Sequence, residues 1–131
     1  SALAVVEAAI GWTVEYTKER RAFGRRISDF QNTRFKVAEL SARATAMRAF
    51  VDDSIRRHLR GELDGITAAK AKMLCTELQC DTVDECLQFF GGYGYMLEYP
   101  IARAYIDSRV RKIAGGSSEI MREIIGRDLF K

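Results

Sequence analysis

From Ile66 to Phe90, apolar and small residues recur at alternating steps of three and four: Ile66, Ala69, Met73, Thr76, Cys80, Val83, Leu87 and Phe90. An α-helix with 3.6 residues per turn lines such a series up on one face, whereas a strand would scatter it over both. A seam this long has to be buried against other helices, so the segment predicts the interior of an antiparallel bundle. Pro100 is the only proline in the chain's 131 residues, so long uninterrupted helices can form around it.

The flanking segments fit the same architecture. Leu3, Val6, Ile10 and Val14 predict a first helix running to about Arg21. The stretch Ala22-Phe23-Gly24-Arg25-Arg26-Ile27 breaks the pattern. Ser28-Asp29-Phe30-Gln31 then reads as a capping box, with the Ser28 hydroxyl accepting from the backbone of Gln31. Phe35, Leu40, Ala44, Met47, Val51, Ile55 and Leu59 form the apolar stripe of a long second helix. Gly61 is a plausible stop, and Asp64 a cap for the third helix. Gly91-Gly92-Tyr93-Gly94 ends that helix, and Pro100 suits the first turn of a short one. Gly115-Gly116-Ser117-Ser118 leads into a last helix carrying Ile120, Ile124 and Leu129. No segment carries a strand signal. The expected fold is all-α: an up-and-down antiparallel bundle of three long helices plus one or two shorter C-terminal ones, a single domain over residues 1–131.

Composition narrows the function. A net charge of +3, from 21 Lys+Arg against 18 Asp+Glu, is too small and too evenly interleaved to argue for nucleic acid. Cys75, Cys80 and Cys86 are odd in number, share one helical segment and match no zinc spacing, and His58 is the only histidine. Reduced, metal-free thiols are expected. Neither a membrane span nor a signal peptide is read.

Three segments exceed what a plain bundle needs. Arg20-Arg21-Ala22-Phe23-Gly24, followed by Phe30-Gln31, sets two guanidiniums at a helix end and an amide at the next helix start. Arginine suits bidentate phosphate contact, although both residues could simply complement the helix dipole. Gln88-Phe89-Phe90-Gly91-Gly92-Tyr93-Gly94-Tyr95 carries adjacent glycines that let a backbone approach a ligand, or that merely cap a helix. Gly115-Gly116-Ser117-Ser118-Glu119 places hydroxyls at a helix N-terminus, which serves an anion or ordinary capping equally.

Taken together, in this order and at these separations, the three segments resemble the C-terminal helical domain of the acyl-CoA dehydrogenases. Tyr93 to Pro100 and Asp107-Ser108-Arg109-Val110 extend the likeness over essentially the whole chain. The resemblance implies that an N-terminal helical domain and a middle β-domain belong to the parent subunit, outside this chain. It implies that the bundle helps bind FAD in a homodimer or homotetramer. Arg20 and Gln31 match positions that contact the pyrophosphate and adenosine part of FAD, and Gln88, Phe89, Phe90, Gly91 and Gly92 match a second FAD loop. Both groups would serve the neighbouring subunit's cofactor. Ser117, Ser118 and Glu119 match a segment that contacts FAD within the same subunit, and Gly115 and Gly116 match positions beside the acyl-CoA thioester.

The implied reaction removes the α-proton of an acyl-CoA and passes hydride from the β-carbon to the flavin, with electron-transfer flavoprotein as the expected acceptor. Many members carry the base as a Glu where this chain has Gly115. The chain therefore resembles the isovaleryl and long-chain subgroup, whose base lies on the first bundle helix. By that match the base falls just before Ser1, so no catalytic residue is expected within 1–131 and the chain alone is expected to be inactive. Glu7, Glu15 and Glu19 stand at unmatched positions. The implied compartment is the cytoplasm of a bacterium or the mitochondrial matrix of a eukaryote. Competing readings are a flavin oxidase or monooxygenase on the same scaffold, and a helical interaction module with no chemistry.

Overall fold

A computed structural model describes all residues 1–131. Five α-helices form the body: α1 (Ala2–Glu19), α2 (Gln31–Leu59), α3 (Gly65–Phe90), α4 (Pro100–Arg111) and α5 (Ser118–Leu129). Three are long and two have 12 residues each, so the expected all-α bundle is what the chain forms. The sequence reading missed one element. After α1, β1 (Arg21–Ala22) and β2 (Arg25–Arg26) pair as a two-residue antiparallel hairpin, followed by a 3-10 turn over Ile27–Asp29. It is too short to carry the period-two pattern that marks a strand.

The central helix is α3, which packs against all four others. Pairs along it fix the directions. Tyr16 stacks on Phe90 near the ends of α1 and α3, and Leu3 shares a cluster with Leu78, so these two helices run parallel. Lys36–Glu85 and Arg43–Asp81 pair in opposite order, so α2 runs antiparallel to α3. The main core joins Ala9, Leu40, Val83, Cys86, Phe90 and Ile101.

Several expected faces are displaced. The buried column of α1 is Leu3, Val6, Ala9, Thr13 and Thr17, while Ile10 and Val14 are only half-buried. Threonines can occupy this interface because Thr13 Oγ1 donates to the Ala9 carbonyl and Thr17 Oγ1 to the Thr13 carbonyl, both at 2.8 Å. Ser28 does not cap α2. Its N-cap is Phe30 and has no side-chain bond, while the Asp29 carboxylate accepts from the Arg26 N–H at 3.0 Å within the preceding turn. Phe35, Ile55 and Leu59 on α2, and Ile120, Ile124 and Leu129 on α5, face outward. From α5 it is Ser118 and Met121 that pack inward.

Asp64 caps α3 as expected, accepting from the Thr67 N–H at 2.8 Å and from the Thr67 hydroxyl at 2.6 Å. The hydroxyl, then the N–H, hold its carboxyl below the ordinary value. A depressed carboxylate contributes stability above its unfolded pKa and loses it as pH falls through the folded one. Asp64→Ala is therefore expected to lower the thermal midpoint at neutral pH. The gap from wild type should begin to narrow below a pH of about 4, where the unfolded carboxyl protonates, and go on narrowing as pH falls through the lower folded-state value. Thermal melts at both ends of that range check it.

Candidate functional site

Arg20 ends α1 as its C-cap, its N–H donating to the Tyr16 carbonyl at 2.8 Å. Its guanidinium stands 5.8 Å from the Tyr93 ring centroid. With Tyr16, Gln88, Phe89, Phe90, Gly91, Gly92, Tyr93 and Met96 it lines a cleft of about 520 Å³. The structure thus brings together two segments that lie some seventy positions apart in the chain. Gln31, the exposed first residue of α2, sits at the same end of the bundle, because α2 starts where α3 finishes.

Charge at this end is unbalanced. Arg20, Arg21, Arg25, Arg26 and Arg34 form no ion pair, although most of the chain's other arginines do. Arg25 stacks over the Phe30 ring at 3.8 Å, and Arg34 donates to the Asp29 carbonyl at 3.0 Å. Of these only Arg20 lines the cleft, and Arg34 lines a separate groove with Val14, Thr17 and Ser28, but five unneutralised guanidiniums at one end of the bundle exceed helix-dipole compensation, which one cation would satisfy.

The hairpin adds a residue to which the sequence reading gave no role of its own. Phe23 is 95% exposed at its tip, with φ of +52°, followed by Gly24 at +80°. Turns of this kind take Asn or Gly by preference, so a phenylalanine here is strained and bare together. Phe23 belongs to the Arg20–Gly24 segment that stood out in the sequence, but its strain exists only once the hairpin closes.

Phe90 does not present its ring to the cleft. It is 5% exposed, stacked on Tyr16 at 4.3 Å between centroids and edge-on to Tyr99 at 6.0 Å. Beyond it, no atom other than those of adjoining residues lies within 4 Å of where a Cβ would stand on Gly91 or Gly92. The backbone there faces open space. Gly94 is glycine for the opposite reason, since a Cβ would lie 2.7 Å from the Leu87 carbonyl oxygen.

The third segment lies elsewhere. Gly115 and Gly116 take φ of +66° and +95°, and the Gly116 carbonyl accepts from Lys72 Nζ on α3. Lys72 and Gln88 are about 24 Å apart along that helix at 1.5 Å per residue. The Gly115–Glu119 segment and the Gln88–Gly92 loop are therefore two separate edges. Ser117 caps α5, its hydroxyl accepting from Ile120 N at 3.5 Å. Ser118 is 3% exposed, and its hydroxyl has no partner in the chain. Glu119 is exposed, and its carboxyl is held below the ordinary value first by its own backbone N–H and then by the Ser117 hydroxyl.

Burial pushes all three thiols above their ordinary pKa, and no group of three or more His, Cys, Asp or Glu side chains converges anywhere. No helix is long and apolar enough to cross a membrane.

Comparison with known proteins gives one answer. Residues 1–130 match the family model for the acyl-CoA dehydrogenase C-terminal domain. The long-chain specific acyl-CoA dehydrogenase of mitochondria from Mus musculus is 45% identical over 89% of this chain and 27% of its own length. An acyl-CoA dehydrogenase of Bacillus subtilis is 38% identical over 98% of this chain and 34% of its own. The crystal structure of an acyl-CoA dehydrogenase from Geobacillus kaustophilus superposes with a TM-score of 0.95 at 40% identity, covering 98% of this chain and 34% of that one. The chain thus spans roughly a third or less of the relatives it matches.

Proposed function

The chain belongs to the acyl-CoA dehydrogenase family as its C-terminal helical domain, and from that premise we propose that it supplies two FAD-binding edges to a flavin-dependent acyl-CoA dehydrogenase. The observation that carries this reading is the cleft in which the unneutralised Arg20 lies beside Gln88 and the bare Gly91–Gly92 backbone. A pyrophosphate needs cationic donors, and a flat cofactor needs close backbone approach. The residues fit FAD on both counts, and the partnerless Ser118 hydroxyl fits a polar ligand at the second edge.

On this reading Arg20 neutralises the phosphates, and the Gln31 and Gln88 side chains bond the adenosine portion. Phe89 walls the cleft, while Phe90 holds it from the core through its ring. The distance between the edges supports their serving different copies of FAD, the arginine edge reaching the neighbouring subunit's. Gly115 and Gly116 leave room beside the thioester, and Ser117, Ser118 and Glu119 bond the cofactor of the same subunit. Bound FAD supplies the hydride acceptor for α,β-dehydrogenation.

General-base chemistry is assigned outside residues 1–131. Gly115 has no side chain to take a proton. Glu7 is paired with Arg48 and Glu15 with Lys18, and the Glu119 carboxyl is held below its ordinary value by its own backbone N–H and the Ser117 hydroxyl. The subgroup reading accords with the likeness to a long-chain specific enzyme. Self-association is assigned to the bare apolar faces of α2 and α5, where Phe35, Leu59, Ile124 and Leu129 would otherwise remain in water. Electron-transfer flavoprotein is the proposed acceptor. A bacterial cytoplasm or a mitochondrial matrix is the proposed setting.

The arginine edge has a direct test. In the complete flavoprotein, Arg20→Met is expected to weaken FAD retention by about tenfold or more, the scale of a lost charge-assisted hydrogen bond. Arg20→Lys should recover only part, because an ammonium lacks the bidentate fork. FAD titration of the apoprotein measures both, and wild-type affinity in Arg20→Met would remove Arg20 from the site.

A further inference from the structure

The loop between α4 and α5 turns on Gly115 and Gly116, both in the left-handed region. Two successive glycines in that region leave the peptide between Gly116 and Ser117 free to rotate unless something outside the loop holds it. Two groups hold it. Beneath, Met121 Cε lies 2.7 Å from where a Gly116 Cβ would stand. Across from α3, Lys72 Nζ donates to the Gly116 carbonyl, the only side-chain hydrogen bond between α3 and loop residues 112–117. Lys72 is half-buried and forms no ion pair, so nothing competes for its ammonium.

A trans peptide points its N–H opposite its C=O. With the Gly116 carbonyl drawn to α3, the Ser117 N–H is turned away from the bundle, and it meets no acceptor in this chain. We propose that Lys72 is a positioning residue of the second edge: it locks the Gly116–Ser117 peptide so that the Ser117 N–H faces the bound ligand. The proposal rests on the reading that Gly115–Glu119 face the thioester and the flavin.

The test uses the complete flavoprotein with Lys72→Met, Lys72→Gln and Lys72→Arg. Lys72→Met should lower kcat/KM for acyl-CoA by about tenfold or more, the scale of a lost hydrogen bond from a charged donor. It should also shift the flavin's visible spectrum, with the thermal midpoint little changed. Lys72→Arg, which keeps a cationic donor, should recover most of both. Lys72→Gln, a shorter neutral donor, should fall between, and it carries the test if the methionine variant does not accumulate. A wild-type spectrum and kcat/KM in Lys72→Met or Lys72→Gln would overturn the proposal. So would losses in every variant that only track the amount of folded protein. A wild-type enzyme that binds FAD but turns over no acyl-CoA would sink the functional reading instead, and the flavin spectra of the variants would still decide the role of Lys72.

Discussion

Phe90→Ala is expected to destabilise the bundle by about 3–5 kcal/mol, the scale of removing a large buried aromatic and leaving a cavity. Phe90 is the last residue of α3 and joins three helices at once. Its ring stacks on Tyr16 of α1, meets Tyr99 just before α4, and packs in the cluster with Leu40 of α2. Its carbonyl also accepts from the Tyr16 hydroxyl at 3.4 Å. Burial raises the Tyr16 pKa above its ordinary value, which favours the protonated phenol that donates this bond. Phe89 is half-buried against the cleft and should cost far less as Phe89→Ala. Urea denaturation of both variants checks the contrast. Equal, small losses would mean that Phe90 is not the keystone of this end, and that its ring is free to serve the ligand.

Residues 1–131 expressed alone are expected to turn over no acyl-CoA. A positioned general base contributes about a hundredfold to ten-thousandfold, and on the proposed reading that base lies outside residues 1–131. Glu7 and Glu15 are held in ion pairs, Glu19 lies exposed at the end of α1, and the Glu119 carboxyl is depressed. In the complete enzyme, each of Glu7→Gln, Glu15→Gln and Glu19→Gln should leave kcat within a few-fold of wild type. Glu119→Gln should alter FAD retention without a comparable loss of turnover once FAD is saturating. A drop in kcat of a hundredfold or more in any of the four would locate the base inside the chain.

The helices were legible because burial of one face imposes a period that survives in the residue order. The Asp64 cap lies where cap chemistry places it, and of the α3 seam Ala69, Thr76, Val83 and Phe90 are buried, while Ile66, Met73, Cys80 and Leu87 are half-buried and Leu78, Gln79, Thr82 and Cys86 take the rest of the interior. What the order could not convey was how far each helix is turned. Thr13 and Thr17 read as polar, yet they are buried because their hydroxyls bond within their own helix. Ile120, Ile124 and Leu129 read as core, yet they point outward. Apolar periodicity says that a face will be covered, not whether by this chain or by another. The candidate site divides the same way. Arg20, Gln88 and the paired glycines stood out by residue type and converge in one cleft. Lys72 did not, since it is marked only by a bond across 44 residues of sequence, and Phe23, though inside the Arg20–Gly24 segment, is set apart only by backbone strain.

The central claim is that this bundle completes the flavin site of an enzyme that dehydrogenates acyl-CoA. Its most direct test is anaerobic mixing of the complete, FAD-loaded protein with acyl-CoAs of short, long and branched chain, following the flavin's visible absorbance. Bleaching by at least one of them, at a rate matching turnover with an electron acceptor, is the predicted result. Full FAD occupancy with no bleaching by any acyl-CoA would contradict it and favour a flavin oxidase or monooxygenase built on the same scaffold.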